Sequence, residues 1–334
     1  LALSACSSSS TSTSASSAAA PASGGSGQVK VGVIIKGLDN PYFQTMEAGV
    51  KAAAAADHVS VTIEAAQSIT DTTGQAAALD ALANENLGCY VVNPISGTNL
   101  VQGIAKIAAK GTPIVNIDNP VDPAAAKAAS AQLASYIGTN DVSAGAMAGQ
   151  EMKKLLPTGG EVVVIAGLAG DVTSEQRTSG FAQGIAGSSI KVLQTVDGNW
   201  VRQDAFTDAT TALNAHPGIA GFFVANDDMA LGVARAVENA HKTGQVKIVS
   251  VDGITQNLSA IGTGQTTATV SQYPWVMGFE GVEACEAAIQ HKTLPASVPA
   301  PITLITHGTA AQALAKFPEP FASYDDPFKG LLGR

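Results

Sequence analysis

Several residue types that most often announce a function are scarce in this chain. Aromatic residues make up 5% of its 334 residues and charged residues 13%, with 18 Lys and Arg against 27 Asp and Glu. The resulting net charge of −9 argues against nucleic acid or an anionic membrane surface as a partner, since both select Lys/Arg-rich faces. No apolar run approaches the roughly 18 residues of a membrane-spanning helix. Three cysteines are too few for a disulfide framework. Cys89 opens an apolar stretch and Cys285 lies on an Ala-rich one, so both read as buried small residues, with a bond between them the minor alternative. The chain has no HExxH, GxSxG, Walker, CxxC or GxGxxG pattern. Its histidines, His58, His216, His241, His291 and His307, lack metal-ligand spacing. Neither an enzyme, a metal site nor a cofactor is expected.

What the chain has in quantity is apolar sequence, 46% of residues, at a length suited to about two domains. From Gln28 onward, short β-rich runs ("VKVGVII", "CYVVN", "PIVNI", "EVVVIAG", "IAGFFVA", "VKIVSV") alternate with Ala-rich stretches of helical spacing, such as "MEAGVKAAAAAD". That alternation predicts an α/β protein with parallel sheets covered by helices on both faces. Nine or more strands suggest two such sheets in succession, with a break near "SYIGTNDV", residues 135–142. "AGLAGD", residues 166–171, is a turn that could cradle a phosphate, but no second phosphate motif accompanies it. Two segments stand apart. "LSAC", ending in Cys6, resembles a bacterial lipobox, whose cysteine is acylated after signal cleavage. The front of such a signal is missing, so the sequence reads as trimmed there, and the uncharged Ser/Ala/Thr run Ser7 to Gly27 reads as a flexible tether. The last stretch, Phe317 to Arg334, shows no strand or helix period. It carries three prolines and four aromatics, and reads as a tail packed along the surface.

The apolar runs end alike. "VVNP" ends in Asn93, "VNIDNP" in Asp118 and Asn119, "FFVANDD" in Asn226 and Asp227, "VSVDG" in Asp252 and "VGVIIKG" in Lys36. In open α/β sheets the carboxyl ends of the strands share one edge, and ligands bind in the crevice there. Each Asn or Asp alone reads as a cap or turn residue, Lys36 alone as a solvated lysine, and the aromatics Tyr42, Phe43 and Trp200 alone as core packing. Together they offer donors and acceptors for hydroxyl groups beside aromatic faces for sugar C–H surfaces, which is the chemistry of a carbohydrate site. Asp118 and Asp252 could also form a carboxylate pair for glycoside hydrolysis, with nothing in the sequence favouring that over binding.

With those residues in view, the sequence resembles the type I periplasmic sugar-binding proteins of ABC importers, the ribose-binding-protein-like family. The likeness spans about residues 29–306 and rests on "NPYF" (40–43), "VVNP" (91–94), "PIVNID" (113–118), "RTSGF" (177–181), "ANDDMALG" (225–232), "VDG" (251–253) and "VSQYP" (270–274), in the family's order. It implies two doubly wound parallel-sheet lobes joined by a three-crossover hinge, near Gly138–Thr139, Gln272–Tyr273 and Pro301–Ile302. The boundaries are 1–27 for lipobox and tether, 28–138 plus 273–301 for the N-terminal lobe, 139–272 plus 302–310 for the C-terminal lobe, and 311–334 for the tail. Sugar closes the lobes, and the closed form docks on a permease.

Carried over residue by residue, Tyr42, Phe43 and Trp200 would be stacking walls. Asn40, Asn93, Asp118, Asn226, Asp252 and Gln272 would bond hydroxyls. Arg177 would reach in from the second lobe, and Thr139 would touch the ligand at the first crossover. Asn119 stands among the expected ligand contacts where many members carry Arg. Lys36 resembles some hexose binders, which points away from ribose toward a hexose, or a pentose or polyol using Lys36 as an extra donor. The expected partners are a neutral carbohydrate or polyol, the permease subunits, and the membrane through a lipid on Cys6, with the protein itself a monomer. The rivals are a binder of a nucleoside or furanose signalling molecule, a sugar-responsive regulator core and a surface hydrolase.

Overall fold

The computed structural model describes residues 1–2 and 29–334, so Cys6 and the expected tether lie outside the described residues. Two six-stranded sheets organise the chain. The first contains β1 (Lys30–Ile35), β2 (Ser60–Ala65), β3 (Cys89–Val92), β4 (Ile114–Ile117), β5 (Ser135–Gly138) and β11 (Ser297–Pro299), in the order β11-β5-β4-β3-β1-β2, all parallel. The second contains β6 (Gly160–Ala166), β7 (Ile190–Asp197), β8 (Gly221–Val224), β9 (Lys247–Asp252), β10 (Ala268–Gln272) and β12 (Ile302–Thr306), in the order β12-β10-β9-β8-β6-β7. Its edge strand β12 runs antiparallel to β10. The central strands read as unbroken apolar runs because both faces are covered; β3, β4 and β8 are buried along their whole length. Strand order reverses beside β1 in one sheet and beside β6 in the other. Each sheet thus has its switch-point crevice at the carboxyl ends of those strands.

On one face of the first sheet lie α1 (Pro41–Asp57) and α10 (Pro274–Ile289), sharing a core with Val33, Val91 and Ile117. On the other lie α2 (Thr72–Leu82), α3 (Val101–Ala108) and α4 (Pro123–Ala128). In the second lobe α5 (Asp141–Leu155) and α6 (Val172–Ile185) cover one face, and α7 (Arg202–Ala215) and α8 (Asp227–Asn239) the other. α9 (Thr255–Thr263) and α11 (His307–Lys316) pack beside β12. The chain passes between lobes after β5, after β10 and between β11 and β12.

The strands and the cysteines differ from the sequence reading in places. Residues 135–138, read as part of a break, form β5, and the short β11 and edge strand β12 were too brief or too mixed to register as strands. Cys89 and Cys285 are buried but joined to each other, β3 to α10, with Cα atoms 5.5 Å apart. Their separation of 196 residues hides a proximity that only the return of α10 to the first sheet creates.

The C-terminal segment is more than a surface tail. α11 continues through Lys316, past the expected boundary at 310, and Phe317 and Phe321 pack on its cluster with Leu258 and Ile261. The chain then reaches the first lobe, where α12 (Pro327–Leu332) sets Phe328, fully buried, into the core around α10. Arg334 pairs with Asp57, Glu283 and Glu286. Beneath α12, burial pushes the Glu280 carboxyl up to about 8 and the Glu283 carboxyl up to about 9, with Asp326 adding to both shifts.

Candidate ligand-binding cleft

The carboxyl-end edges of the two sheets meet at a cavity lined by both lobes, by Lys36 and Asp118 from the first and Asp252 and Gln272 from the second. On the first-lobe side, β1 runs directly into Lys36, which is 8% exposed. Its Nζ lies 3.9 Å from Asp118 Oδ2 and 5.4 Å from the centroid of the Phe43 ring. Asn40 caps α1 by accepting from the Tyr42 N–H at 2.9 Å, and Pro41 at the helix start fits the φ that the first turn needs. This cap points Tyr42 and Phe43 at the cleft, the two rings meeting edge to face at 5.1 Å. The Tyr42 hydroxyl donates to Asp118 Oδ1 at 3.1 Å, and burial, then the Asp118 charge, raises its pKa well above the ordinary value. Asp118 follows β4 at φ 60°, an unusual backbone for a side chain with a Cβ. Tyr136 holds it there by donating its hydroxyl to the Asp118 carbonyl at 2.7 Å.

From the second lobe comes Arg177, on α6. Its Nε donates to Asp141 at 2.7 Å, and its Nη1 donates to the Ala225 carbonyl at 2.8 Å and to Asp252 at 3.3 Å. Helices α5 and α6 approach closely enough to build this because their contact points are glycines: a Cβ on Gly145 would collide with the Arg177 carbonyl, and one on Gly180 with that of Val142. The guanidinium lies 5.6 Å from the Trp200 ring, and Trp200 rests over Gly167, where any side chain would strike the indole. Asp252 also accepts from Gln272 Nε2 at 2.8 Å. Burial raises the pKa of its carboxyl, a shift that the Arg177 charge opposes. Asn226 spends its Oδ1 on capping α8, leaving its amide Nδ2 as the group it can offer a ligand. The neighbouring Asp227 is turned inward. It accepts from Ser250, Thr269, Asn257 and the N–H groups of Gly253 and Ile254, holding the loop that carries Asp252.

The cavity therefore brings together Lys36, Asn40, Tyr42, Phe43, Asp118, Arg177, Trp200, Asn226, Asp252 and Gln272 from the sequence reading. Three expected residues stand elsewhere. Asn93 turns its Nδ2 toward Met46 Sδ at 3.3 Å, inside the first lobe. Thr139 lies behind Gln272 and bonds it. Asn119 does not line the cavity, and its side chain bonds Asp171 and Thr173 across the cleft. Ile69 and Thr173 line the cavity without having been singled out. The helix start that a phosphate at the turn 166–171 would use is already taken. The Asp171 carboxylate occupies the start of α6, accepting from the N–H groups of Thr173 and Ser174. Chemically, the cavity holds two cations against two facing carboxylates, Lys36 with Asp118 and Arg177 with Asp252, between an aromatic ring from each lobe. That suits a neutral ligand with hydroxyls on its rim and apolar faces.

Known proteins resemble this chain in sequence and in fold. The periplasmic binding protein domain family matches residues 31–293. The D-allose-binding periplasmic protein of Escherichia coli K12 is 36% identical over 253 residues, 75% of this chain and 81% of that one. The D-ribose/D-allose-binding protein of Pseudomonas aeruginosa is 29% identical over 256 residues, 76% and 80% of the two chains. The xylitol-binding protein of Mycolicibacterium smegmatis is 30% identical over 222 residues, 66% of this chain and 61% of that one. Among solved structures, an arabinose-binding protein from Geobacillus stearothermophilus superposes with a TM-score of 0.73 at 26% identity, covering 85% of this chain and 99% of the other.

Proposed function

The chain belongs to the periplasmic binding protein domain family, and we propose that it captures a neutral hexose, of which D-allose is the leading candidate, and presents it to an ABC permease. It is a solute-binding protein of sugar and polyol import, not an enzyme. The observation that carries the hexose reading is Lys36. It supplies a cation at the floor of the first lobe, already balanced by Asp118, where a hydroxyl bound to both would receive and give a hydrogen bond at once. The 36% identity to a D-allose binder supports the same choice. Phe43 and Trp200 then serve as the walls, Asn40, Asn226 and Arg177 as donors, and Asp118 and Asp252 as acceptors. In this reading residues 28–138 with 273–301 move as one body against 139–272 with 302–316. Cys6 carries the lipid, and the protein acts as a monomer.

Thermal unfolding and calorimetry of residues 28–334 with D-allose, D-ribose, D-galactose, xylitol and uridine test the cargo. Saturating cargo at about 100 times its Kd stabilises the native state by about 2.7 kcal/mol. A response to D-allose above the others is expected. Tight binding of D-ribose with weaker binding of every hexose and polyol would overturn the hexose reading. The polyol reading rests on the xylitol-binding relative, and a response confined to xylitol would favour it. Labelling with a palmitate analogue in a bacterial host, lost in Cys6→Ala, tests the anchor.

A further inference from the structure

Asn119 lies where a ligand contact was expected, yet every polar atom of its side chain is used elsewhere. Its Nδ2 donates within the first lobe to the carbonyls of Pro94 at 3.2 Å and Ile95 at 3.1 Å, and across the cleft to Asp171 Oδ2 at 3.2 Å. Its Oδ1 accepts from Thr173 Oγ1 at 3.0 Å. Away from the crossovers and the C-terminal segment, these two are the side-chain hydrogen bonds that join the lobes among the described residues. The residue is 1% exposed and Asp171 3%, so the pairing is shielded from water.

Each partner is also held within its own lobe. Asn116 Nδ2 donates to the Asn119 carbonyl at 2.9 Å, fixing the amide from the first-lobe side. Asp171 Oδ1 accepts from the N–H groups of Thr173 and Ser174, leaving Oδ2 for the other lobe. The contact thus connects two pre-set surfaces. It bears on the first turn of α6, one turn before Arg177. Opening the lobes would part both bonds, and of the residues that line the cavity only Thr173 takes part in them.

We propose that Asn119 is the latch of the closed form, a positioning residue that sets how long the ligand stays without touching it. Parting the lobes exchanges a charge-assisted and a neutral hydrogen bond for water, so the latch acts on release. Association starts from the open form, and the latch thins the open fraction of the ligand-free protein only modestly, so association changes far less than release. The proposal rests on the sugar reading only for its kinetic arm.

Stopped-flow fluorescence with D-allose, using Trp200 as reporter, is the test, with small-angle scattering of the ligand-free protein beside it. Asn119→Ala should speed release by about tenfold or more, leave association within about twofold, and keep the order of preference among sugars. Asn119→Asp, which sets a carboxylate against Asp171, should speed release further. Adding Asp171→Asn to it reverses the direction of the donor while keeping a good helix cap, and should recover part of the loss. A residue needed only for folding would give no such rescue. In scattering, the ligand-free single variants should be larger than the wild type and the double variant should return toward it. If D-allose binds and release is unchanged in Asn119→Ala, or if Asn119→Asp is not rescued, the latch is wrong. If no sugar binds the wild type, the sugar reading falls, and equal radii across the series would overturn the latch independently.

Discussion

The Thr139 hydroxyl donates to Gln272 Oε1 at 2.6 Å, joining two side chains 133 residues apart. Both sit at crossovers, Thr139 just past β5 and Gln272 at the end of β10, and the other end of Gln272 holds Asp252. The hinge is therefore hydrogen-bonded to an acceptor in the cleft. Thr139→Val keeps the shape and removes the donor. It should weaken D-allose binding by about 1 kcal/mol through a looser Asp252, read by calorimetry. An unchanged affinity would mean that Asp252 is held well enough by Arg177 alone.

Asp118 is the acceptor that Tyr42 and Lys36 share. Asp118→Ala leaves buried donors unpaired and should weaken binding by about 2–4 kcal/mol. Tyr42→Phe removes one donor and should cost less. Equal losses from the two, measured on the same titrations, would show that the carboxylate does not face the ligand.

The bond between Cys89 and Cys285 closes a long loop between β3 and α10. Replacing both by Ala should lower stability by about 2–4 kcal/mol through the freedom returned to the unfolded chain. Urea unfolding of wild type and variant, and of the wild type under reductant, checks this. Ligand affinity should be retained, because neither residue lines the cavity.

Glu280 and Glu283 bind protons more tightly in the folded protein than their ordinary value of 4.5 implies, burial being the main cause. Their stabilising contribution is whole below that value and is lost as pH climbs through about 8 and 9. Unfolding midpoints should fall between pH 6 and pH 9.5. A chain ending at Lys316 uncovers both carboxyls and removes Asp326, so its fall over the same range should be smaller. Parallel curves for the two chains would place the pH dependence elsewhere.

Much of the cleft was legible because strand ends in a doubly wound sheet share one edge. Lys36, Asp118, Asn226 and Asp252 were legible as strand ends with Tyr42, Phe43 and Trp200 as nearby aromatics, while Asn40, Arg177 and Gln272 came only with the family resemblance. What strand ends do not encode is where a side chain points. Asp118 at φ 60° turns toward the cavity, and Asn119 after it faces the opposite lobe. Asn93 ends its strand as Asp252 does, yet looks into the first lobe. Thr173 went unnoticed because its role depends on how the start of α6 meets the first lobe, a contact between remote segments. α12 is six residues long, too short for a period to show, and Phe328 is its single fully buried residue.

The burial of Phe328 also decides which body carries the two described ends of the folded chain. β1 starts at Lys30 in the first sheet, and Arg334 pairs with Asp57, at the end of the helix that follows β1. Both ends therefore ride on the same lobe. If the lobes close on the ligand as proposed, a pair of fluorophores fused before residue 29 and after residue 334 should keep one separation throughout and report nothing. In that proposed motion, anything that tethers either end fixes the first lobe and leaves the second, with Arg177 and Trp200, as the part that would swing.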